Sequence, residues 1–247
     1  MTKKLKQIID FFNDDTLYYS ASLSFFTIFS LLPILALLIV VVSNMPIFNS
    51  YLTLFTVYLL DFINPNLSSD VASTISQFLS NSNELGSIGI FYLLFVFTLF
   101  FNNYEDIVNK IFQTKKRPIY KMFLLYISFL MILPMMFALF VLASSVLKDD
   151  LYIRFISFIF MWGFFIIIFQ ISTSAKISFL ATIIGSFSTL ATLSLMKTLF
   201  TYYVSYNTTY STIYGSFSVL LFFFLWIYIS WTIFLYGIKL TYMLNKR

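Results

Sequence analysis

A chain of 247 residues that is 60% hydrophobic and only 10% charged, with a mean hydropathy of +0.90, has too few polar side chains to cover a soluble core, and it reads as polytopic membrane protein almost throughout. Cysteine and histidine are both absent, which excludes disulfide staples, thiolate chemistry, imidazole metal ligands and histidine-based metallohydrolysis. The net charge of +5 would point to nucleic acid in a soluble protein, but here the basic residues flank apolar stretches, where they set orientation and meet anionic headgroups.

Charged residues are sparse enough to divide the chain by themselves. Uncharged windows cover residues 16–60, 85–104, 122–147, 155–175, 177–196 and 198–238. A helix rises about 1.5 Å per residue and the hydrocarbon core is about 30 Å thick, so ~20 apolar residues cross it. The pattern predicts an all-α fold, a single membrane domain over 1–247 with spans at about 17–43, 86–104, 122–147, 153–175, 177–200 and 213–238. The first apolar run is too long for a signal-peptide core and lacks a small-residue cleavage site, so the N-terminus is expected to stay attached.

In the first span Ser20, Ser24, Thr27 and Ser30 recur on one side before Pro33, and Asn44 and Pro46 mark its end. Residues 44–85 then form a long external loop without Lys or Arg. Within it Leu67, Val71, Ile75, Phe78 and Leu79 repeat at helical spacing, with Ser68 or Ser69 to cap and Asp70 at the positive end of the dipole. This predicts an amphipathic helix on the outer face, either a lid or docking element or a connector laid on the bundle or lipid.

The second span continues past the membrane through Glu105 to Gln113, and Lys115, Lys116 and Arg117 with Pro118 make a basic turn that anchors topology or meets anionic lipid. Pro134 in the third span, like Pro33 in the first, removes a backbone bond and should bend its helix. The carboxylates sit outside or at the ends of spans and read as solvated charges. Adjacent pairs such as Glu105 with Asp106 or Asp149 with Asp150 point about 100° apart on a helix and chelate poorly, so neither metal nor other cofactor is expected.

The fifth span carries the most information. Ser178, Thr182, Gly185, Ser186, Thr189 and Thr192 advance by threes and fours between Lys176 and Lys197. Such a face serves helix packing, because small residues allow close approach and hydroxyls bond back to their own turn, or it lines a groove for a polar headgroup or solute. In the groove reading Lys197 closes the outer end, and Ser24, Thr27 and Ser30 of the first span form the opposing wall. The last span places Tyr210, Tyr214, Tyr236 and Tyr242 at headgroup levels, with Lys239, Lys246 and Arg247 beyond its end.

Orientation follows from the basic residues. With six spans and both termini cytoplasmic, 12 of the 15 Lys and Arg residues lie inside, and only Lys148, Arg154 and Lys197 lie outside. A seventh span over 47–63 would leave 6 inside and 9 outside. The positive-inside rule selects six.

With these residues in view, the chain resembles the YihY/virulence factor BrkB family of bacterial inner-membrane proteins, historically labelled ribonuclease BN-like. The resemblance covers nearly the whole chain and rests on Leu23-Ser24-Phe25-Phe26 and Ser30-Leu31-Leu32-Pro33, on Asn109-Lys110-Ile111-Phe112, and on Tyr214-Gly215-Ser216 with Leu225-Trp226-Ile227-Tyr228 and Gly237. Two departures stand out: Gly237-Ile238-Lys239 replaces a common Gly-Ala-Glu, and Ser172-Thr173-Ser174 replaces a proline-asparagine turn before the fifth span. The resemblance implies six helices, cytoplasmic termini and a multi-pass place in the bacterial inner membrane. A ribonuclease would need metal ligands or an acid and base, plus a basic surface with aromatics for stacking bases. This chain offers only short cytoplasmic loops, so no enzymatic activity and no nucleic acid are expected, and membrane lipids are the expected partners. Two functions remain: transporter-like handling of an envelope lipid or amphiphile through a polar groove, or a non-transporting structural or assembly role in the envelope.

Overall fold

The computed structural model of the protein describes residues 15–43, 87–145, 150–206 and 217–246. The external loop at 44–85 and its amphipathic helix lie outside the described residues, as does Tyr214-Gly215-Ser216. Six helices account for nearly all that is described: α1 (Thr16–Ser43), α2 (Ser87–Ile111), α3 (Ile119–Ser145), α4 (Asp150–Ser172), α5 (Phe179–Tyr206) and α6 (Phe217–Asn245). Four of them hold stretches long and apolar enough to cross a membrane: Ile119–Phe137, Phe155–Ser172, Phe179–Tyr206 and Leu220–Asn245.

Consecutive helices are neighbours and α6 returns to α1, so the six close into a ring. The α5–α6, α6–α1 and α1–α2 contacts are extensive, and the α3–α4 seam is the thinnest. Large apolar side chains point outward around this ring, among them Phe25, Phe91, Leu139, Phe155, Leu180 and Leu195. A helix apolar on all sides buries one side in protein and offers the other to lipid. Leu23, Phe97, Phe169, Leu235 and Ile238 fill the centre of the bundle.

One end of the bundle gathers most of the described basic residues. Lys110 Nζ stands 6.0 Å from the Tyr19 ring centroid, the Phe112 and Tyr242 rings are 5.5 Å apart, and Asn245 Oδ1 accepts from the Ser178 backbone N–H at 2.7 Å. The start of α1, the α2–α3 connection, the α4–α5 connection and the end of α6 therefore meet at this basic end. There α2 stops in a Schellman turn. The Thr114 N–H bonds to the Asn109 carbonyl at 2.9 Å and the Gln113 N–H to the Lys110 carbonyl at 3.1 Å, while Gln113 takes the left-handed conformation at φ 55°.

Glycine permits a close approach of two helices. Gly185 of α5 lies against Thr241 of α6, and Gly237 of α6 lies against Thr189 of α5; a methyl group at either glycine would collide with the opposing hydroxyl. Each threonine spends its hydroxyl on its own helix, Thr189 on the Gly185 carbonyl at 2.8 Å and Thr241 on the Gly237 carbonyl at 3.0 Å. The two antiparallel helices thus share a reciprocal Gly-x-x-x-Thr contact that lets their backbones approach without leaving a polar atom unpaired.

Candidate functional site

Above this glycine contact the helices part around a cavity of about 410 Å³, partly open to the exterior, between α1, α4, α5 and α6. Its walls are mostly large and apolar: Leu31, Met161, Phe164, Phe165, Ile168, Leu190, Leu193, Trp226, Trp231 and Phe234. The polar lining comprises Thr27, Ser194, Lys197 and Ser230, together with the Trp231 indole. Trp231 is held in place, because its Nε1–H donates to Thr27 Oγ1 at 2.7 Å while Thr27 donates to the Leu23 carbonyl at 2.7 Å. A second cavity of about 170 Å³ lies behind Ile168, Trp231 and Phe234, which line both spaces, and it reaches Tyr104 and Tyr126 toward the basic end.

Of the residues singled out by sequence spacing, Thr27 and Lys197 line the main cavity. Ser24 and Ser30 are buried and bond back to the carbonyls of Ser20 and Phe26, both at 2.6 Å. On α5 the small polar residues divide between two neighbours. Thr182 accepts from Gln170 Nε2 at 2.8 Å and Ser186 from Trp162 Nε1 at 3.1 Å, both on α4, while Gly185 and Thr189 face α6. Thr192 is exposed and bonds to the Ser188 carbonyl at 2.8 Å. Ser178 caps α5, its Oγ accepting from the Ala181 N–H at 3.3 Å. The residues that build the cavity from α5 are instead Leu190, Leu193, Ser194 and Lys197, one stripe farther round the helix.

At the basic end the structure corrects the expectation that Glu105 is a solvated charge: it is 0% exposed. Its Oε1 accepts from Arg117 Nη1 at 3.2 Å, the Arg117 backbone N–H at 3.2 Å and Asn109 Nδ2 at 3.1 Å. Its Oε2 accepts from Arg117 Nη1 at 3.1 Å and Tyr126 OH at 3.0 Å. Arg117 is accordingly not a free member of the basic turn. It also donates to the Ile171 carbonyl at 2.9 Å and to the Thr173 carbonyl, placing a cation at the negative end of α4. A carboxylate buried without such partners would carry a large desolvation cost. Asp106, one residue on, remains at the surface beside Lys110 at 2.6 Å and holds that ammonium above its usual range.

Asn109 joins this network to the α4–α5 connection. Its Oδ1 accepts from Thr114 Oγ1, Thr173 Oγ1, the Ser174 N–H and Ser174 Oγ at 2.8 to 3.1 Å. Two separate stretches noted in the sequence, Asn109-Lys110-Ile111-Phe112 and Ser172-Thr173-Ser174, therefore meet in space. The family model described as virulence factor BrkB matches residues 8–247. The chain belongs to the virulence factor BrkB family.

Relatives of this BrkB-family protein include a UPF0761 membrane protein of Pseudoalteromonas atlantica, 26% identical over 237 residues that cover 90% of this chain and 79% of the relative. Another, from Pseudoalteromonas translucida, is 28% identical over 249 residues, covering 92% and 81%. A third, from Aggregatibacter aphrophilus, is 26% identical over 248 residues, covering 95% and 89%. No solved structure matches the chain. In this BrkB-family protein the Leu225-Trp226-Ile227-Tyr228 stretch supplies cavity wall through Trp226 and Ile227, and Gly237 supplies the α5–α6 contact. Sequence spacing missed Glu105 with Arg117; the available signal was an acidic residue at the end of an apolar helix followed 12 positions later by an arginine beside a proline.

Proposed function

We propose that this integral membrane protein handles an amphiphile through the cavity between α1, α4, α5 and α6, with both termini and the basic end in the cytoplasm. The observation that carries this reading is the cavity itself: about 410 Å³ of space walled by aromatic and aliphatic side chains and partly open, in a bundle whose outer surface is apolar. Pockets of ~300–1,000 Å³ with apolar walls and a few polar groups are the usual form of small-molecule sites. A second space lies on the other side of Ile168, Trp231 and Phe234, near Tyr104 and Tyr126, so these side chains stand between two cavities. Glu105, the carboxylate on which a hydrolase would draw, is fully engaged by Arg117, Asn109 and Tyr126, which argues for a structural role at this position.

The test is movement of fluorescent lipid between leaflets of vesicles containing the purified protein. Leu193→Phe, which narrows the cavity, should slow movement at least several-fold while leaving abundance and unfolding temperature unchanged. Wild-type vesicles indistinguishable from protein-free ones would remove the transporter reading and leave a scaffold or assembly role.

A further inference from the structure

The polar groups of the main cavity are not spread evenly along it. Helical rise places Lys197 about 27 Å from the Phe179 end of α5, and Ser194 one turn below it. Ser230 stands about 22 Å from the Asn245 end of α6, close to the level of Ser194. Phe165 and Ile168, in contrast, lie about 10 Å or less from the Ser172 end of α4. The end nearer the basic side is therefore aromatic and aliphatic, and its one hydroxyl on α1, Thr27, is already occupied by Trp231 and the Leu23 carbonyl. The far end holds two hydroxyls and an ammonium beside the apolar walls of Trp226 and Ile227, which stand at the level of Lys197. Among the described residues that line the cavity, Lys197 alone carries a charge.

We infer that the ligand of this cavity is an anionic amphiphile, with one acyl chain lying among Phe165, Ile168, Trp231 and Phe234 and an acidic headgroup at Lys197, Ser194 and Ser230. The inference rests on the amphiphile handling proposed above and names its substrate class. Size sets how much of it enters: at ~30 Å³ per heavy group, about the volume of a liquid water, the cavity takes about a dozen groups, the headgroup and the first carbons of one chain, with the rest passing through its open side. The physics of the bilayer then assigns selectivity to the headgroup. A chain that leaves lipid for an apolar cavity exchanges one apolar surrounding for another and gains little hydrophobic free energy. Discrimination falls to the charge-assisted contact with the lysine.

Trp226 and Trp231 line the cavity and provide the probe. Purified full-length protein in neutral detergent is titrated with phosphatidylglycerol brominated on one acyl chain, and separately with phosphatidylcholine carrying the same chain. Brominated phosphatidylglycerol should half-quench the fluorescence at about tenfold lower mole fraction, the scale of one contact to a charged group. Lys197→Gln should abolish the preference and Lys197→Arg should keep it, the arginine variant showing that the site tolerates substitution. Leu193→Phe should weaken quenching by both lipids. A parallel titration with brominated lysophosphatidylglycerol identifies the source: quenching equal to the diacyl lipid assigns a single-chain ligand, and weaker quenching assigns one chain of a phospholipid. Equal quenching by the two headgroups in the wild type, or a preference that survives Lys197→Gln, overturns the inference. Selective quenching without lipid movement in vesicles would remove the transporter reading and leave this site standing. Movement without selectivity would do the reverse.

Discussion

Arg117 and Glu105 form a buried pair in which a single guanidinium nitrogen donates to both carboxylate oxygens, at 3.2 and 3.1 Å, while the same side chain binds the Ile171 carbonyl in the last turn of α4 and the Thr173 carbonyl just beyond it. One arginine thus neutralises the end of α2 and caps the end of α4. Removing either partner strands the other. Glu105→Ala is expected to cost about 3–5 kcal/mol, the scale for breaking a buried pair, and the double variant Glu105→Ala with Arg117→Met should cost less than Glu105→Ala alone. Chemical unfolding of the purified variants in detergent checks this. Wild-type stability in Glu105→Ala would mean that the pair is solvated.

The reciprocal contact of Gly185 with Thr241 and Gly237 with Thr189 makes a second test. Gly185→Ala forces a methyl group into the Thr241 hydroxyl and should destabilise by ~1–3 kcal/mol, as overpacking does. Adding Thr241→Ala removes the colliding oxygen and should restore part of the loss. If the double variant is no more stable than Gly185→Ala, the backbones are not held at this distance by these two positions.

Gln113 closes α2 in the left-handed region at φ 55°, where a side chain meets the backbone and glycine does not. Gln113→Gly should therefore raise stability by on the order of 1 kcal/mol, visible as a higher unfolding midpoint. A lower midpoint would contradict the turn described here.

Orientation is tested in intact cells, using the absence of native cysteine. Lys115 and Tyr206 are exposed at opposite ends of the described bundle. An impermeant maleimide added outside should label Tyr206→Cys and spare Lys115→Cys until the membrane is opened. The opposite pattern would invert the topology.

The sequence by itself determined that this is a helical integral membrane protein, because a helix in lipid satisfies its backbone within one segment and so needs only a long apolar stretch between charges. It also exposed the residues of the BrkB family, through short local motifs such as Asn109-Lys110-Ile111-Phe112. Which side of each helix meets what was decided by the tertiary structure. On α5 the hydroxyls at 182, 186 and 189 are all compatible with a groove by spacing, yet Thr182 and Ser186 bond to α4 and Thr189 meets Gly237, because serines and threonines recur on several sides of this helix and none of them marks which side faces inward. The cavity took shape one stripe away, at Leu190, Leu193, Ser194 and Lys197, where the neighbouring helices diverge. Glu105 followed the same logic. Its place in the sequence is that of a solvated helix end, and only the fold brings Arg117 and Tyr126 onto its two oxygens and excludes water from them.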